Sequence, residues 1–324
     1  MFEIIEERQN DIDRLKILNK RTGEYVSIVP QFGANVNEIV LKEGDKLYGI
    51  IDGNKNSASF KNMGIYKNAV LMPFPNRLKD GRYTFNGMAY ELHQNYQREG
   101  NAAHGFIYDK PFKVNGKTIG KTEARLFLKY DYDGSISGYP FPFEVRLEYK
   151  LCAEKGFQCK TDVCNLSETD MPFGSGWHPF FTFGKPVDKL KLKFSVENHI
   201  IFDSGLLPTG LKKKYNRFDN YSVIGARPLD SCFKLSGTSG RHHTELVDED
   251  EDIKIVLWQE TGHTKYNFLQ LYIPPSRKSI AIEPMTCNVD AFNNHDGLII
   301  LKKGHTFSAG YGVQLKRANL RPIR

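Results

Sequence analysis

Polar and apolar residues alternate with period two in stretch after stretch of this 324-residue chain. The clearest runs are Lys189-Leu190-Lys191-Leu192-Lys193-Phe194, Glu144-Val145-Arg146-Leu147-Glu148-Tyr149 and Asp252-Ile253-Lys254-Ile255-Val256-Leu257. Arg125-Leu126-Phe127-Leu128-Lys129-Tyr130 follows the same rule more loosely. Such a run sends one face toward a core and the other toward water, which is the signature of a half-buried β-strand. Clusters of Gly, Pro, Asn and Asp separate the runs, among them Asp80-Gly81, Asp133-Gly134, Gly138-Tyr139-Pro140 and Pro274-Pro275. Asn86-Gly87 between Tyr83-Thr84-Phe85 and Met88-Ala89-Tyr90 predicts a tight hairpin. The acidic run Asp248–Asp252 reads as a further hairpin loop. An aromatic content of 12% also favours strands. Helical patterns are scarce, with short helices expected only within residues 56–70 and 214–224. Nothing marks a domain boundary or an internal repeat. The expectation is therefore a large antiparallel all-β sandwich, with residues 1–324 as a single domain carrying few short helices.

Composition removes several classes. Hydrophobic residues make up 40% and charged residues 26%, ordinary globular values that argue against disorder. No apolar run approaches the ~20 residues of a membrane span, and the longest, Leu298-Ile299-Ile300-Leu301, is strand-sized. The acidic start MFEIIEERQNDID lacks the basic and apolar blocks of a secretory signal. A net charge of +7 is mild and spread along the chain, without the stripe or motif expected of a nucleic-acid binder. The five cysteines form no C-x-x-C pair, so neither a disulfide framework nor a zinc site is indicated. Reduced thiols in a cytoplasm fit best, with no membrane or nucleic-acid partner expected.

A few side chains have contexts suited to chemistry. His178 lies in Phe173-Gly174-Ser175-Gly176-Trp177-His178-Pro179-Phe180-Phe181. An imidazole packed among Trp, Phe and Pro is desolvated and fixed, as a proton-transfer group must be; a core histidine bonded to a carbonyl would have the same surroundings. His104 precedes Gly105, which permits a turn or the close approach of a ligand. Glu283 ends the apolar run Ser279-Ile280-Ala281-Ile282 and is restricted by Pro284, yet a solvated strand-end carboxylate is common. Arg77 follows the rigid Met72-Pro73-Phe74-Pro75-Asn76 and suits the binding of oxygen atoms, as it would a structural ion pair. Asp230, in Pro228-Leu229-Asp230-Ser231-Cys232-Phe233, is equally ambiguous. Adjacent His242 and His243 would point to opposite faces of a strand and so share no metal easily; solvated loop positions are the simpler reading. The remaining histidines lie in polar or turn-like stretches.

Taken in order, PFPNR (73–77), NAAHG (101–105), GYP (138–140), GWHPFF (176–181), LLPTG (206–210), DSCF (230–233) and EPMTCNVDAFN (283–293) resemble the aldose 1-epimerase, or galactose mutarotase, family. The similarity runs from roughly residue 30 to residue 315. It implies a β-sandwich with a sugar cleft across one sheet and neither metal nor organic cofactor. It also implies roles: His178 as general acid and Glu283 as general base, with Arg77, His104 and Asp230 holding sugar hydroxyls and the ring oxygen. The chain departs from the best-known members, which carry a segment more like NHSYFN where this one reads GWHPFF, and a second Gly where this one has Phe106. The resemblance thus carries fold and reaction further than a preference for galactose.

The implied reaction interconverts the α and β anomers of a free aldohexose such as galactose or glucose. Ring opening takes a proton from the C1 hydroxyl and supplies one to the ring oxygen, and an acid and a base on opposite sides of C1–O5 suffice. His178 is expected to be cationic, favoured by a nearby carboxylate such as Asp230, and Arg77 to stabilise charge on an oxygen. Trp177 could face the sugar or the core. The competing readings are a glycoside hydrolase or lyase pairing Glu283 with Asp230 or Asp290, a non-catalytic carbohydrate-binding protein, and an epimerase of a hexose 6-phosphate.

Overall fold

The structure is a computed structural model and describes residues 1–61, 65–96 and 100–320. Strands dominate it, in three larger sheets. A nine-stranded sheet runs in the order Lys113–Ile119, Glu123–Tyr132, Phe143–Cys152, Gly156–Asn165, Thr306–Arg317, Ile253–Thr261, Gly240–Asp248, Lys191–Lys193 and Ser222–Val223. An eight-stranded sheet holds Pro208–Lys213, Asn198–Phe202, Asp230–Lys234, Phe268–Tyr272, Ile280–Met285, Gly176–Trp177 and Val70–Leu71 in that order, and Phe180–Phe181 pairs with Ile280–Met285 off this path. The first 49 residues form a five-stranded antiparallel meander. This is the expected large antiparallel all-β sandwich with few short helices.

Alternation places the core between the large sheets. In Phe143–Cys152, Val145, Leu147, Tyr149 and Leu151 are buried, while Arg146 between them is exposed. Trp177 from the eight-stranded sheet inserts against Tyr149 and Tyr311 of the nine-stranded sheet, at ring-centroid distances of 6.0 and 5.3 Å. Its indole N–H donates toward Thr161 and the Tyr266 hydroxyl at 3.3 and 3.2 Å, so its one polar group is satisfied in the interior. Trp177 therefore belongs to the core and not to a sugar platform. The Tyr149 hydroxyl donates to the Ala34 carbonyl at 2.6 Å and ties the meander to the sandwich.

The hairpin at Asn86-Gly87 forms as expected: Phe85 pairs with Met88, and both turn residues have positive φ, 49° and 76°. The acidic run closes the hairpin between Gly240–Asp248 and Ile253–Thr261, where Lys185, Lys191 and Lys46 neutralise it. Among the described residues helix is confined to Ser57–Lys61, Ala291–Asn294 and two short 3-10 turns. The helix expected within 56–70 is described over Ser57–Lys61, and positions 62–64 lie outside the described residues. No helix forms over 214–224; that stretch is turns and the strand Ser222–Val223, because Tyr215 and Phe218 anchor it to Phe194 and Phe233 as an irregular flap. His242 and His243 sit on a strand, not a loop. They do face opposite ways: the His242 ring is 2.7 Å from the Ser195 carbonyl, while His243 is exposed. All five cysteines are free thiols. Among the described residues no helix is long and apolar enough to cross a membrane, and no His/Cys/Asp/Glu cluster has the makings of a metal site.

Candidate active site

The strand that buries Trp177 turns the next side chain the other way, so His178 emerges on the opposite face. Its backbone is clamped on both sides: its N–H donates to the Ala69 carbonyl and its carbonyl accepts from the Asn68 N–H, each at 3.0 Å. The imidazole stacks on Phe180, centroids 4.9 Å apart and planes 12° apart. The same alternation governs Ile280–Met285, where Ile280 and Ile282 enter the core and Glu283 faces out of it. The two strands bring Glu283 Oε1 to 3.4 Å from His178 Nε2. Neither His178 Nδ1 nor Glu283 Oε2 has a hydrogen-bond partner among the described residues. Both side chains are nearly sealed, at 7% and 1% exposure.

Arg77 and His104 arrive on a separate pair of short strands, with Arg77 opposite Ala103 in antiparallel register. Asn76 adopts a left-handed backbone, φ 60°. Its side-chain oxygen accepts from the Arg77 N–H at 2.9 Å and from Arg77 Nη1 at 3.1 Å, which fixes the guanidinium. The guanidinium lies over the Tyr96 ring at 5.3 Å. His104 Nδ1 accepts from the Asn76 N–H at 3.2 Å, its ring is 5.4 Å from that of His178, and Tyr66 packs on it at 4.5 Å. Gly105 serves a close approach, but of backbone and not of ligand: a Cβ there would lie 1.8 Å from the Met72 carbonyl oxygen, and φ is +66°. Only glycine tolerates both conditions.

Asp230, Gln270 and Glu283 lie on three neighbouring strands. Gln270 pairs with Glu283 and Tyr272 with Asp230 in the sheet register. Gln270 Nε2 donates to Asp230 Oδ1 at 2.5 Å, and its own Oε1 is left without a donor among the described residues. All five residues singled out from sequence, Arg77, His104, His178, Asp230 and Glu283, line one cleft of about 480 Å³ that opens to solvent. Asn76, Tyr66, Tyr96, Gln270 and Tyr272 line it too and were not foreseen. Gln270 had a readable signal, a polar residue within the apolar run Phe268-Leu269-Gln270-Leu271; the tyrosines had none in so aromatic a chain. Asp290, weighed as a second carboxylate, stands outside the cleft lining and accepts instead from the Lys79 N–H and the Asn293 amide, at 2.9 and 2.7 Å.

Burial dominates the electrostatics. It pushes His178 down to about 3, so the ring is neutral near neutral pH. His104 is pushed well down as well, by burial first and then by the charges of His178 and Arg77. Glu283 is raised well above the ordinary carboxylate range, chiefly by burial and further by the charge of Asp230, with Arg77 opposing. The expected cationic His178 runs against this burial, and Asp230 acts on Glu283 instead. An imidazole and a carboxyl group 3.4 Å apart, nearly sealed from water yet lining the cleft, have the geometry for proton exchange.

The sequence matches the family described as aldose 1-epimerase over residues 16–314. It is 24% identical over 288 residues to the Escherichia coli K12 protein YihR, whose function is uncharacterised, and the match covers 87% of each chain. A galactose mutarotase-like protein from Clostridium acetobutylicum superimposes with a TM-score of 0.87 at 24% identity, covering 98% of this chain and 99% of that one. The galactose 1-epimerase of Lactobacillus acidophilus gives 0.81 at 14% identity, covering 98% and 99%.

Proposed function

Because the chain belongs to the aldose 1-epimerase family, we propose that it is a mutarotase that opens and recloses the hemiacetal of a free aldose, with His178 and Glu283 as its acid–base pair. The observation that carries this reading is the 3.4 Å approach of the two side chains at the floor of the cleft. They stand side by side. That geometry suits a hemiacetal, whose hydroxyl and ring oxygens share one carbon, so neighbouring groups address both at once.

The pair enters the reaction carrying one proton, which the upward shift of Glu283 and the downward shift of His178 favour on the carboxyl. Sugar hydroxyls and the Arg77 charge favour the carboxylate, and the proton passes to His178 Nε2. Glu283 then takes the proton of the C1 hydroxyl while His178 gives its proton to the ring oxygen. The C1–O5 bond breaks and C1 becomes an aldehyde. Rotation about C1–C2 presents the other face, and the same two transfers run backward. Arg77, held by Asn76 and Tyr96, stabilises negative charge developing on an oxygen. His104, Asp230 and Gln270 fix the remaining hydroxyls. Arg77 is the one Lys or Arg among the described lining residues, and Asp230 and Glu283 share the cleft with it; this favours an uncharged sugar over a phosphorylated one.

Polarimetry on freshly dissolved α-glucose, α-galactose and α-xylose, with hexose 6-phosphates and an oligosaccharide beside them, tests the proposal. Accelerated loss of optical rotation with a free sugar supports it. Saturable binding without acceleration would favour a carbohydrate-binding protein, and release of new reducing ends a hydrolase.

A further inference from the structure

Asn68 stands outside the lining of the cleft and is 3% exposed, yet it holds the segment that carries His178. Its backbone N–H donates to the His178 carbonyl at 3.0 Å. Its side-chain Oδ1 accepts from the Phe180 N–H at 2.8 Å, and its Nδ2 donates to the Asp52 carbonyl at 3.2 Å. The Asp52 N–H in turn donates to the Phe180 carbonyl at 2.9 Å, so Phe180, Asn68 and Asp52 close a cycle of hydrogen bonds. Between His178 and Phe180, Pro179 has no N–H to offer, and its carbonyl accepts from the Ile282 N–H at 3.2 Å, one residue before Glu283. The Phe180 N–H is therefore the first backbone donor after His178, and the Asn68 side chain receives it.

This anchor fixes the Phe180 ring. The ring is fully buried, stacks on the His178 imidazole with centroids 4.9 Å and planes 12° apart, and meets Tyr272 edge-on at 6.2 Å. It is thus one wall of the burial that pushes His178 down to about 3. Glu283 faces the imidazole at 3.4 Å and the His104 ring at 5.4 Å. Tyr66, Arg77, Tyr96, Asp230 and Tyr272 complete the titratable lining of the cleft. On the segment of Asn68 itself, Lys67 is paired with Asp52 at 2.8 Å. Asn68 has φ 56°, in the left-handed region that asparagine enters more readily than most residues and glycine most readily of all. Glycine at this position keeps the backbone and its bond to the His178 carbonyl but leaves the buried Phe180 N–H without its acceptor, a costly state that a shift of Phe180 relieves.

We propose that Asn68 is a positioning residue for the acid–base pair: its side chain pins Phe180, and Phe180 holds the His178 ring in the orientation and the dry surroundings that proton transfer requires. The inference rests on the mutarotase reading above. Asn68 acts through Phe180 and touches neither the sugar nor the reacting atoms.

The test measures kcat and KM for mutarotation of a free aldose across pH, with melting temperatures, for the wild-type chain, Asn68→Gly, Phe180→Leu and the double variant. Asn68→Gly should lower kcat by about tenfold or more, the scale of a small misplacement of a reacting group, with KM held within about twofold. Its acid limb in kcat/KM should move up from the wild-type position toward the ordinary histidine value of 6.5, because a loosened Phe180 admits water to the imidazole. Phe180→Leu leaves the acceptor on Asn68 in place and should show the same fall and the same shift, which keeps the test decisive should Asn68→Gly not fold. The two losses should not multiply in the double variant. A lower melting temperature with wild-type kcat and pH profile would overturn the proposal and leave Asn68 a structural residue. A raised KM at unchanged kcat, or losses that multiply, would overturn it as well, with the mutarotase reading standing. No acceleration of any sugar by the wild-type chain would remove that reading and the proposal together.

Discussion

Glu283 Oε1 lies 3.4 Å from His178 Nε2, and the two residues reach that contact from strands whose neighbouring side chains, Ile282 and Trp177, point into the core. The placement is thus a consequence of the pleat. Each strand buries its apolar residue on one face and presents its titratable side chain on the other. The core that stabilises the sandwich also aligns the proposed acid–base pair.

Glu283→Gln and His178→Asn should each lower kcat by about 10²–10⁴-fold, the usual contribution of a positioned acid or base. The two groups work on one proton, so their losses should not add. The double variant should be about as slow as the slower single one. Rates measured by polarimetry at saturating sugar check this. A double variant slower than either single by the product of the two losses would show that the residues act independently.

The pH dependence follows from the proton count. In the proposed mechanism the active pair carries one proton. A second proton, arriving as His178 titrates, removes the base, and loss of the first from Glu283 removes the acid. His178 is pushed down to about 3 and Glu283 is raised well above its ordinary 4.5, both by burial. For the free enzyme, kcat/KM should therefore hold as pH falls through 6.5 and decline only well below it, with an alkaline limb set by Glu283. An acid limb at the ordinary histidine value would contradict the assignment.

Stability carries the same signature with a definite sign. Burial raises Glu283 well above its ordinary value in the fold and it ionises more readily once unfolded, so its contribution is fully present below about pH 4.5 and is lost as pH rises through its folded value. Glu283→Gln removes that loss. The variant should gain in melting temperature relative to wild type as pH is raised above 4.5, while losing activity. Parallel thermal melts across pH 4–8 measure it, and a constant difference at all pH values would mean that the carboxyl is not held protonated.

Gln270 bonds Asp230 at 2.5 Å and pairs with Glu283 across the sheet. Gln270→Met keeps the volume and removes the bond. A hydrogen bond to a charged group is worth about 1.5–3 kcal/mol, so KM should rise by about tenfold or more with a smaller change in kcat. Equal loss in kcat and kcat/KM would instead place Gln270 in the transition state alone.

Gly105→Ala should destabilise the chain by about 1–3 kcal/mol through backbone strain and displace His104, because the added Cβ would meet the Met72 carbonyl. Gly87→Ala is the control: its φ is also positive, at +76°, but no atom lies within 4 Å of the added carbon. Chemical denaturation of both variants separates the crowding from the conformational penalty. Similar losses would mean that the close approach at Met72 costs nothing.

The sheet architecture was legible because alternation is a local property, and Val145, Leu147 and Tyr149 face inward wherever Arg146 faces out. The five cleft residues were legible as a set only through motif order; locally, the surroundings of His178 fit a core histidine as well. What stayed hidden depended on distant strands. The protonation of His178 and Glu283 is set by burial that no short window reveals. Trp177 was left open between core and cleft because its choice depends on Tyr149 and Tyr311. The flap at 214–224 looked helical in spacing but takes its shape from Phe194 and Phe233.

Exchange between the α and β anomeric proton signals of a free aldose, followed by magnetisation-transfer NMR at equilibrium, tests the central claim most directly. The wild-type chain should bring exchange into the observable range, and Glu283→Gln and His178→Asn, each folded by circular dichroism, should return it to the uncatalysed rate. Undiminished exchange in either folded variant would contradict the claim that these two side chains share the proton that opens the ring.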